Sequence, residues 1–132
     1  MVAAGQDGPQ DRPHLPHLVP IDGYGKGGFR FGGMSHRGSL LCLPSGIWAW
    51  PVVRPAEIDE TALAPVFAEA SGLDLFVLGI GSERWIMPDI LHDRFRSLKI
   101  AVEVTRIGSA VSTYNILLGE GRRVAAGLIA AG

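Results

Sequence analysis

The hydrophobic and polar positions in the second half of the chain alternate between two periods. Three short apolar runs, of the kind that forms buried strands, are separated by segments in which apolar residues recur every three or four positions, as in helices. The pattern predicts a strand, helix, strand, helix, strand order over residues 73–80, 88–98, 100–104, 108–120 and 123–129. Strands that alternate with helices are typical of a parallel sheet with crossover connections. Because each run is almost continuously apolar, we expect both faces of this sheet to be covered.

The first half of the chain has a different pattern, in which glycines separate short apolar stretches. Eight glycines lie in residues 23–46, and this density predicts turns and short strands rather than helix. Phe29 and Phe31 flank a polar position, which is the alternation of a half-buried strand. A proline- and glycine-containing turn between residues 38–43 and 47–53 predicts a hairpin.

A further helix is expected between the two halves. Apolar residues recur at helical spacing through residues 59–71, and Gly72 is placed to end the helix. Asp59 or Thr61 is positioned to cap its N terminus. Because proline lacks an N–H group, Pro65 is expected in the first turn, so that the regular helix begins late. The two crossover helices carry buried stripes, expected at Ile90, Leu91, Phe95 and Leu98 in the first and at Ala110, Val111, Tyr114, Leu117 and Leu118 in the second.

Composition places the chain among compact globular proteins. Its 132 residues are 47% hydrophobic and 19% charged, which suits one domain with a sizeable core. Residues 1–13 offer little to bury and are expected to form a disordered tail, so that a single globular domain spans residues 14–132. The expected fold class is α/β (α+β). It is a single three-layer domain with a mixed central sheet, a β-α-β-α-β C-terminal half and a glycine-rich β-hairpin N-terminal half.

Charge and hydropathy limit the partners and the location. The formal net charge of −1 produces no field that would attract a polyanion, so nucleic acid is not an expected partner. No run of residues is long and apolar enough to span a bilayer, although peripheral membrane association stays possible. The first residues lack the basic segment and apolar core of a signal peptide, and a single cysteine suits a reducing compartment. A cytoplasmic location is therefore expected.

The carboxyl ends of the predicted parallel strands are where a ligand would bind. Glycines there allow close approach of the backbone, the N–H groups at a helix start favour an anion, and an arginine adds positive charge. The candidate ligand-binding residues are Gly79, Gly81, Ser82, Arg106, Gly108, Ser109, Tyr114 and Asn115. The same residues also build ordinary strand-to-helix turns, and neither of the two common glycine-rich phosphate motifs accompanies them.

A second candidate surface is the apolar triplet Trp85, Ile86 and Met87, which falls in a predicted loop. Three consecutive large apolar side chains in a loop indicate a protein contact or the cover of a sheet edge. The chemistry-bearing residues elsewhere form no catalytic set, since Cys42 lies in an apolar strand and is expected to be a core residue. The histidines do not complete a metal site. We therefore predict no catalytic residue, no metal and no cofactor.

Several short motifs, in their order along the chain, resemble one protein family. They are Ile21-Asp22-Gly23-Tyr24-Gly25, Gly27-Gly28-Phe29, Gly38-Ser39-Leu40-Leu41, Pro44-Ser45-Gly46, Leu78-Gly79-Ile80-Gly81, Thr113-Tyr114-Asn115-Ile116-Leu117-Leu118 and Glu120-Gly121-Arg122-Arg123-Val124-Ala125-Ala126. Together they resemble the domain of unknown function 498 family, which includes a mitochondrial factor for assembly of respiratory complex I. The resemblance extends over nearly all of residues 15–129. It implies a single α/β domain with a β-rich N-terminal portion layered on a mixed central sheet and, in mitochondria, a role in building NADH:ubiquinone oxidoreductase through protein–protein contact.

One loop departs from the pattern of that family. After Val104, relatives typically carry methionine, a small or acidic residue and then threonine or serine before the glycine, whereas this chain has Thr105-Arg106-Ile107. If the loop lines a site that the family shares, the site is altered here.

Two hypotheses about function stay open. The first is a non-enzymatic binding or assembly protein whose partners are respiratory-complex subunits, assembly factors or other membrane proteins, and an exposed apolar patch at Trp85 would favour it. The second is a domain that binds an anionic small molecule, or an unrecognised enzyme, at residues 79–82 and 106–109. A deep pocket where Arg106 and Tyr114 converge would favour the second.

Overall fold

Two β-sheets and three α-helices account for most of residues 12–130, the part of the chain that the computed structural model describes. In chain order the strands are β1 (Ile21–Gly25), β2 (Gly28–Phe31), β3 (Met34–Arg37), β4 (Ser39–Leu43), β5 (Gly46–Trp50), β6 (Leu75–Ile80), β7 (Ala101–Arg106) and β8 (Val124–Leu128). The α-helices are α1 (Glu60–Ala68), α2 (Asp89–Ser97) and α3 (Ile107–Gly119), and short 3-10 turns cover Pro55–Glu57 and Ala70–Gly72.

The central sheet has five strands in the order β5–β4–β8–β6–β7. β6 is parallel to both of its neighbours, with Leu75 opposite Val124 of β8 and Ala101 of β7. β4 is antiparallel to β5 and β8. The predicted β-α-β-α-β order and mixed sheet are therefore confirmed. Because β6, β7 and β8 run in the same direction, their carboxyl ends lie at one edge of the sheet.

The glycine-rich segment forms a second, antiparallel sheet of β1, β2 and β3. In β2, Phe29 and Phe31 are buried and Arg30 is exposed, so the predicted alternation is confirmed. The β-hairpin character of the N-terminal half is confirmed as well, since β4 and β5 pair directly after this sheet.

Each face of the central sheet carries its own hydrophobic cluster. On one face α1 and α2 pack on the sheet, and the rings of Phe76 and Phe95 stack there with centroids 5.5 Å apart. On the other face α3 and the three-stranded sheet enclose Phe31, Val77 and Tyr114. Burial of these side chains on both faces is the main stabilising contribution. The expected three-layer domain is confirmed.

The beginning of the chain is described only from residue 12 onward. Residues 1–11 of the expected disordered tail lie outside the described residues, so the tail stays a prediction. At the start of the described part, the His14 N–H donates to the Ile47 carbonyl and the Ile47 N–H donates to the Leu15 carbonyl. This short bridge covers part of the outer edge of β5. Between residues 12 and 130, no helix combines the length and apolarity needed to cross a membrane.

Two expectations about burial are wrong. β7 is not covered on both faces, because it is the last strand of the sheet and its residues alternate between exposed and half-buried. Ile90 does not belong to the buried stripe of α2 and is 69% exposed. Neighbouring helical positions are about 100° apart around the axis, so Leu91 faces the sheet while Ile90 points away.

The position of Pro65 in α1 also differs from the expectation. The helix begins at Glu60 because the Asp59 side chain caps it and accepts from the Ala62 N–H at 2.8 Å. Pro65 therefore lies in the helix interior rather than in its first turn. Its ring is exposed, and the carbonyl that loses its partner belongs to Thr61, another exposed residue that water can reach.

Candidate functional site

A groove lies at the carboxyl ends of β6 and β7. These strands are adjacent, but the helix after β6 packs on one face of the sheet and the helix after β7 packs on the other. Connections that leave neighbouring parallel strands toward opposite faces open a crevice between the strand ends. The ligand site predicted from the sequence therefore corresponds to the crevice between the ends of β6 and β7.

The crevice is an open groove of about 1080 Å³. On one side lies the loop after β6, and on the other the end of β7 and the first turn of α3. Its lining consists of residues Ile80, Gly81, Ser82, Glu83, Arg84, Trp85, Ile86, Met87, His92, Val102, Val104, Thr105, Arg106 and Ser109. The groove thus brings together four candidate ligand-binding residues and all three candidate protein-contact residues.

The apolar triplet is divided between the surface and the core. Ile86 is 89% exposed, Trp85 is half-buried, and Met87 is buried with the cluster around α2. The expectation that all three present a contact surface is therefore wrong for Met87, whose side chain instead fixes the loop to the sheet. Ile86 and the neighbouring Ile90 are left as exposed apolar side chains on this side of the protein.

Arginines dominate the charge of the groove. Arg84 and Arg106 are exposed and form no ion pair with any residue of the described chain. Glu83 is different because its carboxylate lies 2.9 Å from Arg54 Nη2. The hydrogen bond from Arg54 holds the pKa of Glu83 below its usual value. The groove therefore presents two uncompensated positive charges together with the exposed Ile86.

The groove also runs along a free strand edge. The N–H of Ala101 donates to the Asp74 carbonyl, on the β6 side of β7. Backbone groups alternate in direction along a strand, so those of Val102 and Val104 point away from β6. Among residues 12–130 no strand pairs with this side of β7. Unpaired N–H and C=O groups of this kind can bind an added strand.

The remaining candidate ligand residues have structural positions instead. A Cβ at Gly79 would lie 2.7 Å from the Ala110 Cβ, so this glycine lets α3 pack closely on β6. A Cβ at Gly108 would lie 2.6 Å from the Tyr24 hydroxyl, which places Tyr24 against the first turn of α3. Neither glycine lines the groove.

Tyr114 and Asn115 hold the N-terminal strand rather than a ligand. The fully buried Tyr114 donates its hydroxyl to the Val19 carbonyl at 2.8 Å, and burial raises its pKa. The Asn115 amide donates to the Ile21 carbonyl at 2.9 Å and accepts from the Ile21 N–H at 2.8 Å. Tyr114 belongs to the hydrophobic cluster on the α3 face and does not line the groove, so Arg106 and Tyr114 do not converge, and this condition for the small-molecule hypothesis is not met.

Comparison with known proteins gives the family. Residues 21–129 match the family model described as a protein of unknown function, DUF498/DUF598. The chain belongs to the DUF498/DUF598 family. An uncharacterized protein of Rhodobacter capsulatus is 37% identical over 117 residues, which cover 89% of each chain.

Other proteins similar to this DUF498/DUF598 chain have descriptive names. NADH dehydrogenase (ubiquinone) 1 alpha subcomplex assembly factor 3 of Rattus norvegicus is 29% identical over 115 residues, which cover 87% of this chain and 62% of that protein. The chain therefore spans less than two thirds of the assembly factor. The crystal structure of an outer membrane protein from Bartonella henselae is similar with a TM-score of 0.85 and 39% identity, over 90% of this chain and 100% of that one.

The one thiol of this DUF498/DUF598 domain is confirmed as a core residue. Cys42 is fully buried between β4 neighbours, and burial raises its pKa to about 12. A thiol that stays protonated at neutral pH is a poor nucleophile. Cys42 therefore contributes packing beside Tyr114 rather than chemistry.

Three features in or near the groove were not predicted from the sequence. They are the exposure of Ile90, the uncompensated charge of Arg84 and the contact of Tyr24 with Gly108. Arg84 stands next to the apolar triplet, so its position in the groove was detectable from the sequence. The contact of Tyr24 joins residues far apart in the chain and depends on how the small sheet packs against α3.

Proposed function

We propose that this protein is a non-enzymatic assembly domain that binds an extended segment of another protein in the groove beside β7. The observation that carries the proposal is the position of Ile86, which is 89% exposed next to a strand edge without a partner in the described chain. An exposed isoleucine beside backbone groups that no strand pairs offers a partner both an apolar contact and a strand edge.

The chemistry of the groove indicates what the bound segment would contain. Its backbone would add to β7 through Val102 and Val104, as in recognition by strand addition. An apolar side chain of the segment would pack on Ile86, and acidic side chains would pair with Arg84 and Arg106. We therefore infer an extended partner segment that combines apolar and acidic residues.

The relatives suggest the class of partner. The rat relative is named as an assembly factor for NADH dehydrogenase, so subunits or assembly factors of a respiratory complex are the first partners to test. A cytoplasmic location, with peripheral contact to a membrane where such subunits are inserted, is part of the same proposal. Fractionation of native cells into soluble and membrane material tests the location.

A second candidate function uses the same groove for a small anionic ligand. It is favoured by Arg106, which carries an uncompensated charge beside Ser109 in the first turn of α3. An enzymatic role would belong to this alternative. A thermal-shift screen of anionic metabolites tests it, because a ligand of the groove should stabilise the wild type and not Arg106→Ala.

Affinity capture from native cells, with membranes retained, tests the proposed function. The tagged wild type should recover a respiratory-complex subunit or assembly factor, and Ile86→Asp should reduce the recovery at least tenfold. Ile116→Asp is the matched control, because Ile116 is also an exposed isoleucine (60%) but lies on α3 outside the groove. Equal recovery by both variants, or an eluate without partners, would contradict the proposal.

A further inference from the structure

The three-stranded sheet has a solvent-facing side that the proposed function does not use. Because Phe29 and Phe31 point into the core, the alternate residues Gly28 and Arg30 of β2 point outward. The strand register places Ser35 opposite Arg30 and Arg37 opposite Gly28. The outward side therefore carries Arg30 and Arg37 as diagonal neighbours on adjacent strands, with the hydroxyl of Ser35 next to them.

Positive charge is concentrated on this sheet. Residues 21–37 contain three basic side chains, Lys26, Arg30 and Arg37, against the single carboxylate of Asp22, which gives a formal charge of +2. The whole chain has a net charge of −1. None of the three basic side chains forms an ion pair with a residue between positions 12 and 130. A concentration of unpaired cations in a weakly acidic protein requires an explanation.

Glycines make the space between these cations. A Cβ at Gly23 would lie 3.0 Å from Arg30 Nη2, so the guanidinium lies directly over bare backbone. A Cβ at Gly28 would lie 2.5 Å from the His36 carbonyl oxygen, so β2 and β3 approach closely there. The result is a hollow of about 470 Å³ lined by Gly23, Tyr24, Gly25, Lys26, Gly28, Phe29, Arg30, Ser35, His36 and Arg37.

We propose that this hollow binds the phosphate group of a phosphomonoester. Diagonal neighbours on adjacent strands are about 7–8 Å apart, a separation from which the long side chains of Arg30 and Arg37 reach one anion from two sides. Guanidinium groups donate pairs of hydrogen bonds that match phosphate oxygens. The hydroxyl of Ser35 supplies a further donor, and Lys26 adds charge at the rim.

The surroundings favour an anion of this kind over a cation or an apolar ligand. Asp22 is the one carboxylate of the sheet, and it lines an adjoining depression, which shares Arg30 and Ser35 with the hollow, but not the hollow itself. His36 lies opposite the inward-facing Phe29 and its ring is 4.5 Å from that of His14, so the ring is on the inward side of the sheet and adds no donor to the hollow. Two sources carry the required chemistry, a free phosphorylated compound and the phosphomonoester headgroup of phosphatidic acid.

Titration of the full-length protein with phenyl phosphate, followed by amide chemical shifts at constant ionic strength, tests the proposal. Shifts should concentrate in residues 23–37, and Arg30→Gln or Arg37→Gln should each weaken binding roughly tenfold. Arg122→Gln is the control, because Arg122 is exposed and lines neither the hollow nor the groove at the end of β7, so its loss should leave the affinity unchanged. Asp22→Asn removes the nearby negative charge and should bind at least as tightly as the wild type.

A second arm separates the two sources. Vesicles of phosphatidylcholine with and without phosphatidic acid are sedimented with wild type and with the Arg30→Gln, Arg37→Gln double variant. Binding of phenyl phosphate alone assigns the site to a free compound, and phosphatidic acid binding that the double variant loses assigns it to a lipid headgroup. The proposal would be overturned if phosphate bound in neither arm, if the chemical-shift changes centred on the groove, or if the double variant kept the affinity of the wild type.

Discussion

Replacing Asn115 with alanine should destabilise the protein by about 2–4 kcal/mol, more than any other polar truncation on α3. The side chain forms two hydrogen bonds, of 2.8 and 2.9 Å, with the backbone N–H and C=O of Ile21. Ile21 is only 3% exposed, so neither group gains ready access to water when the amide is removed. A buried polar group left without a partner costs about 1–3 kcal/mol, and here two groups lose theirs together.

The assay is urea unfolding followed by far-UV circular dichroism and by tryptophan fluorescence, with the free energy of unfolding taken from the linear extrapolation. Tyr114→Phe provides a graded comparison, because it removes one hydrogen bond to the Val19 carbonyl and should cost about 0.5–1.5 kcal/mol. Ser112→Ala is the matched control, since Ser112 is an exposed polar residue of the same helix. A loss below about 0.5 kcal/mol for Asn115→Ala would refute the argument that α3 fastens β1 through this side chain.

Three further perturbations have expected outcomes. Gly79→Ala should lower the melting temperature and cost about 1–3 kcal/mol, because the added Cβ would meet the Ala110 Cβ at 2.7 Å. Burial lowers the pKa of both His14 and His36, whose rings lie 4.5 Å apart. Just below the usual histidine pKa of 6.5, the unfolded chain therefore binds more protons than the folded protein. Thermal stability should fall as the pH falls from 6.5 toward the pKa values of the folded state. His36→Gln should make the melting temperature depend less on pH over this range. Cys42 should react with iodoacetamide at pH 8 only as fast as the protein unfolds, and rapid labelling of the folded protein would contradict its burial.

The elements of the second half could be predicted from the sequence because each depends on local periodicity. The apolar run of β6 and the three- and four-residue spacing in α3 need no knowledge of distant residues. The exposure of β7 could not be predicted in the same way. Val102 and Val104 look as apolar as the residues of β6, and only the strand order shows that nothing within the described chain lies beyond them.

Part of the candidate site could also be predicted, from a general rule of parallel sheets. Gly81, Ser82, Arg106 and Ser109 line the groove because carboxyl ends of parallel strands meet at one edge, which is a general rule of such sheets. Tyr114 and Asn115 do not, since their polar atoms are used by the backbone of Val19 and Ile21, which are 95 and 94 residues away in the sequence. Sequence patterns indicate which residues are polar, but hydrogen-bond partners across the fold decide whether they are available to a ligand.

Photo-crosslinking in native cells tests the proposed function most directly. A photoreactive residue at position 86 reports contacts of the groove, and the same residue at position 116 reports contacts of another exposed isoleucine position outside it. The proposal predicts one dominant crosslink from position 86, to a subunit or assembly factor of a respiratory complex, that is absent from position 116. No crosslink from position 86, or the same crosslinks from both positions, would contradict the assignment of the groove as the binding surface.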